Sequence, residues 1–189
     1  MAGQGDPHRP RLFTPAVAVV VGYVLLVGNP WMNRDLAIAA SDYDSSLRVV
    51  YVLFSFPSWH VDIDLVGPYL FWFTNLRTVL FVALAVAGLG KVSSWVRETA
   101  RGPALFVTTV GLMTLSAVIA GAGAVGVAVA LTDERDYFGP DRPEELFLNV
   151  FGTSASFGVL FGLVVGVVAV QSRAPATRER RVTAPKSFW

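Results

Sequence analysis

Long apolar runs dominate the chain. They fall at about residues 12–31, 69–89, 104–131 and 146–170, with polar segments between them. A helix needs about 20 apolar residues to cross the hydrocarbon core of a bilayer, so the pattern predicts four transmembrane helices. Punctuation agrees with those limits. Thr14-Pro15 reads as an N-cap followed by proline at the first helical position, and Gly28-Asn29-Pro30 closes the first run. Gly67-Pro68 opens the second, and Asp141-Arg142-Pro143-Glu144 caps the fourth with acidic residues in its first turn. A cleaved leader ending at Ala37-Ile38-Ala39 is the competing reading of the first run. That site lies far from the apolar core, so a retained helix is expected.

The first long loop, 32–68, has a different pattern. Leu47 to Phe56 is apolar but too short to span, since ten helical residues cover only about 15 Å. Val49, Val50, Tyr51, Val52 and Phe54 favour a strand. Pro57-Ser58 can turn the chain, and Trp59 to Val66 alternates polar with apolar. The segment is therefore expected either as a small β-hairpin on the membrane surface or as an interfacial, re-entrant piece.

Inside the spans, small and polar positions recur at helical spacing. Ser154, Gly158, Gly162 and Gly166 form a small-residue stripe on the fourth run, and Ser116, Ala120, Ala124 and Ala128 form one on the third. No hydrophobic effect drives helices together in lipid, so close packing along such stripes must do it. We expect these two to mesh, within the chain rather than between chains. On the other side of the fourth run, Glu145, Asn149 and Thr153 follow at i, i+4, i+8, with Ser156 nearby. Taking about 100° per residue, this polar stripe lies nearly opposite the small one. It is expected to meet the second span, whose early part carries Thr74, Asn75, Arg77 and Thr78.

Arg77 is the sharpest feature. It lies eight residues into its run, and a charge at that depth costs at least about 2.5–3.5 kcal/mol unless it is paired or snorkels outward. A structural role, as a lock between two helices, weighs more than a functional one. The functional alternative is an anion path lined by Arg77.

Composition sharpens the class. The 189 residues are 53% hydrophobic, which leaves no room for a large soluble domain beside four spans. The absence of cysteine excludes disulfides, thiolate catalysis and Cys-ligated metals. Arg, Ala, Val and Gly are plentiful while Lys occurs only at 91 and 186, a bias we read as bacterial. Segments 1–11, 90–103 and 171–189 hold ten of the fifteen Lys and Arg, which places both termini in the cytoplasm. Trp31, Tyr69, Trp72 and Tyr137 on one side and Trp95 on the other suit the two interfaces. The expected fold is thus an all-α integral membrane four-transmembrane-helix bundle at 12–170. A cytoplasmic tail, 1–11, precedes it and a disordered basic tail, 171–189, follows it.

Chemistry-bearing motifs are sparse. His60, Asp62 and Asp64 make the one cluster of metal-ligand type, and an extended Trp59–Val66 would place all three on one face. A solvated loop face explains them as well, and no metal is expected. No phosphate-binding glycine loop, His-Glu-x-x-His or nucleophile elbow occurs, and no cofactor is expected. The reading is a non-enzymatic accessory or regulatory subunit of the cell membrane. Its partners are the lipid bilayer and further copies or other membrane proteins, with no nucleic acid. The alternatives are a transporter or channel component using Arg77, and an extracytoplasmic metal-dependent sensor or enzyme using His60, Asp62 and Asp64.

Overall fold

Long, mostly apolar helices fold here into a bundle, all-helical among the described residues. The structure, a computed structural model, describes residues 14–31, 53–95, 102–131 and 143–172. Its helices are α1 (Thr14–Val27), α2 (Ile63–Val66), α3 (Pro68–Trp95), α4 (Gly102–Leu131) and α5 (Pro143–Gln171). Three stretches are long and apolar enough to cross a membrane: Pro68–Val92, Gly102–Leu131 and Phe147–Gln171. At 1.5 Å per residue they reach about 37 to 45 Å, more than the hydrocarbon thickness. Helix α1 has 14 residues, or about 21 Å, so its described part falls short of a full crossing. The terminal tails, 1–11 and 173–189, and the loop 132–142 lie outside the described residues.

Local chemistry sets the helix ends. The Gly28 amide donates to the Val24 carbonyl at 3.0 Å, and Pro30 lies two residues on. Asp62 caps the single turn of α2 by accepting from the Asp64 amide at 3.0 Å. Gly67 then turns with φ of 81°, a conformation that a side chain would strain, and Pro68 starts α3.

The helices pack antiparallel in sequence order. Gly88 of α3 lies against Leu112 of α4, and Gly123 of α4 lies against Leu80. Helix α5 returns along α4, with Gly158 over Thr114, Gly162 over Val110 and Gly166 over Phe106. Helix α1 packs against α3 and α5. We call the end where α1 and α4 finish and α3 and α5 begin the upper end. Phe81, Met113, Ala117, Phe157, Phe161 and Val165 are buried at the centre.

Two expectations about packing change. Among the described residues there is no strand, and Trp59–Val66 does not continue as an alternating extended run, because Asp62 nucleates a helical turn. The β-favouring residues 49–52 lie outside the described residues. The atoms facing the α5 glycines belong to Phe106, Val110, Met113 and Thr114, which precede the expected stripe along α4. Ser116, Ala120, Ala124 and Ala128 are nevertheless buried.

The α4–α5 seam depends on missing side chains. A Cβ on Gly158 would sit 2.5 Å from the Thr114 Cα, and backbone cannot swing aside. Gly158→Ala should therefore destabilise the bundle by about 1–3 kcal/mol. At Gly126 a Cβ would meet nothing within 4 Å, so Gly126→Ala should hold or raise stability. Thermal unfolding in mild detergent checks both, and equal losses would mean the seam is looser than this.

Candidate functional site

The upper half of α3 carries polar residues that a span would ordinarily avoid, and each has a structural partner. The Asn75 amide group pairs with the main chain of His60 in both directions. Its Oδ1 accepts from the His60 amide at 3.0 Å, and its Nδ2 donates to the His60 carbonyl at 2.9 Å. The Thr78 hydroxyl donates to the Ser58 carbonyl at 3.0 Å. From the α1 side, the Trp59 amide donates to the Gly28 carbonyl at 3.1 Å, and the Tyr23 hydroxyl donates to the Leu53 carbonyl. Gly28 is needed here because a Cβ would strike the Trp59 indole.

These bonds hold a non-helical strap, Phe56 to His60, against the helices. In lipid every backbone polar group needs an internal partner, and irregular backbone survives only where protein supplies one. Asn75 does so with the geometry of a neighbouring strand. Phe56, joined to Pro57 by a cis peptide, is buried edge-on to Phe81 and Phe157, with ring centroids 5.5 and 4.6 Å away. Tyr23 packs on Phe161 at 4.5 Å, so the same aromatic cluster joins α1, α3, α5 and the strap.

Arg77 sits beside this cluster. Its Cζ lies 4.1 Å from the centroid of the Phe56 ring and 5.8 Å from that of Phe73. One terminal nitrogen, Nη2, donates to the Ser154 Oγ at 2.9 Å, while Nε is buried without a partner. Among the described residues Arg77 makes no ion pair. A desolvated cation–π contact contributes about 2 kcal/mol, and a hydrogen bond from a charged group about 1.5–3 kcal/mol. Together they are large enough to offset the roughly 2.5–3.5 kcal/mol that insertion scales assign to a central arginine. Ser154 itself fits because Gly121 of α4 has no side chain: a Cβ there would lie 2.5 Å from the Ser154 Oγ. Arg77, Ser154, Gly121 and Phe56 therefore tie α3, α5, α4 and the strap at one level.

The structure separates the polar residues that the spacing grouped. Asn75 and Arg77 join the strap, whereas Asn149, Thr153 and Ser156 are exposed on the outside of α5. The Thr153 hydroxyl turns back to the Asn149 carbonyl of its own helix at 2.8 Å. The Glu145 side chain lies outside the described residues. The expected meeting of this stripe with Arg77 is thus corrected, and Ser154, from the small-residue stripe, is the partner. Helical spacing shows which residues share a face but not what that face meets. Phe56 was missed because it lies in the loop; the signal was the Thr74, Asn75, Thr78 cluster, which needs a non-helical partner in lipid.

His60, Asp62 and Asp64 do not converge. No group of three metal-type ligands forms among the described residues. His60 is half-buried and held by its backbone, and Asp62 is engaged as a helix cap. Burial pulls the His60 imidazole below the ordinary histidine pKa. An apolar groove of about 330 Å³ opens between α1 and α3. Val24, Leu25, Val79, Val82 and Trp59 are among its walls, and none of its lining residues is charged. It holds no group for acid–base or nucleophilic work.

Releasing the strap is measurable. Asn75→Leu leaves the His60 amide and carbonyl unpaired, a loss of about 1–3 kcal/mol. If the strap opens locally, its open population rises on the order of 5- to 150-fold. The chain has no cysteine, so a single Ser58→Cys reports on it. Maleimide labelling of that cysteine should be slow alone and much faster with Asn75→Leu, with Thr78→Val between the two. Equal rates would show that the strap is held some other way.

No protein-family model, curated protein or solved structure matches this chain.

Proposed function

We propose that this is a non-enzymatic multi-pass membrane protein of the plasma membrane, acting through other membrane proteins as an accessory or regulatory subunit. One observation carries this reading. The intramembrane polar groups of α3 are engaged inside the fold, on the strap and on Ser154, rather than arranged around an open path. Three apolar helices support the multi-pass character. We read α1 as part of a fourth span, with both termini cytoplasmic and loops 32–68 and 132–145 outside. Its antiparallel entry beside α3 and the Lys and Arg distribution support that topology.

A second reading has one observation in its favour. The Arg77 Nε is a buried donor with nothing to bind, as an anion-passing residue would have between ions.

Tagged protein purified in mild detergent, with particle mass and composition measured together, tests the first reading. A membrane protein present in fixed ratio is the expected outcome, and a particle containing this chain alone would overturn it. Liposomes holding the purified chain separate the second. No chloride flux above that of empty vesicles is expected, and Arg77→Leu should only lower the folded yield. A flux present in the wild type and lost in a folded Arg77→Leu protein would establish the anion path instead.

A further inference from the structure

Each glycine on the inner face of α5 is matched by a neighbour. Gly158 has Thr114, Gly162 has Val110 and Gly166 has Phe106. Gly152 does not fit that account, since a Cβ there would meet nothing within 4 Å. It lies on the outward face, and at about 100° per residue it falls within about 60° of Asn149 and Ser156. All three are exposed. Deeper in the span the same face continues as Val159, Leu163 and Val167, the large apolar residues that suit lipid. Its upper half carries Asn149, Gly152 and Ser156, beside the exposed Leu148.

Neither the Asn149 amide nor the Ser156 hydroxyl makes a hydrogen bond among the described residues. Asn149 is the third residue of the Phe147–Gln171 span, and Ser156 is three residues from its middle. A hydroxyl about 5 Å from the bilayer centre has no water to turn to.

We propose that this face is an interface with a second copy of the chain, formed by two parallel α5 helices about a two-fold axis normal to the membrane. Hydrogen-bond complementarity selects the partner. A side-chain amide is donor and acceptor at once, so Asn149 opposite Asn149 satisfies both. A two-fold axis brings the same residue of each copy together. Copies of one chain insert in one orientation, which makes the pair parallel. Gly152 admits the facing backbone, and Ser156 lies on the same line one turn deeper, where interhelical hydrogen bonds operate. The spacing 149, 152, 156, 159, 163 is that of a helix–helix seam. The inference uses the membrane-spanning reading of α5 and is independent of the accessory role.

The absence of cysteine allows a direct test in native membranes with the full chain. Gly152→Cys and Ser156→Cys, placed singly, should form a disulfide-linked dimer on mild oxidation. Leu115→Cys, equally exposed but on α4, should not. Adding Asn149→Leu to Ser156→Cys should lower the linked fraction on the order of three- to tenfold at low protein density. Elution of each variant at the wild-type position in detergent checks folding. Linking at all three sites alike, or at neither α5 site, would overturn the interface. An adduct of different mass would show another protein on this face, overturning the second copy while supporting the accessory reading. A dimer with no further protein in the particle would do the reverse.

Discussion

The need of buried backbone for hydrogen-bond partners governs this structure. The strap from Phe56 to His60 is neither helix nor strand, so its amides and carbonyls need partners that regular structure does not provide. They come from both sides, from Asn75 and Thr78 on α3 and from Gly28 on α1. That requirement explains the composition of α3. Thr74, Asn75, Arg77 and Thr78 cluster in its first half, where the strap lies, and no further polar side chain follows until Lys91. It also explains why α1 stops at Gly28, since continuing the helix with a side-chain-bearing residue would collide with Trp59.

The same requirement sets the place of Arg77. A guanidinium at that level has no carboxylate among the described residues, so its charge rests on the Phe56 ring and one hydroxyl. Phe56 is available only because the strap enters, and Ser154 is reachable only because Gly121 leaves room. The strap and the α4–α5 seam are therefore coupled. Loosening the seam moves Ser154, and releasing the strap uncovers the cation. Neither could be altered without exposing the other to the desolvation cost of an unpaired charge.

The three long helices were legible in the sequence because length and apolar content alone define a crossing helix. The ends at Pro68 and Pro143 were legible too, since glycine, proline and capping residues act through local sterics. The strap was less so. Its alternating pattern near Trp59–Val66 is a local signal for an extended chain, and the groups that override it lie fifteen to twenty residues downstream, on Asn75 and Thr78. Arg77 was conspicuous, but its partner was not. Ser154 sits in a row of glycines and reads as one more small residue, whereas the carboxylate-bearing stripe at 145–153 looked chemically better suited.

Small and polar residues thus have two fates on one helix. On the inner face of α5 every glycine admits an atom of α4, and the serine among them binds a cation. On the outer face Asn149, Gly152 and Ser156 have no side-chain partner among the described residues. Lipid gives no reason for that second set, because a face turned to hydrocarbon is best covered by large apolar side chains, as it is at Leu148 and again from Val159 onward. The inner face of α5 thus has its neighbour in α4, and the outer face is the one left for the second copy proposed above.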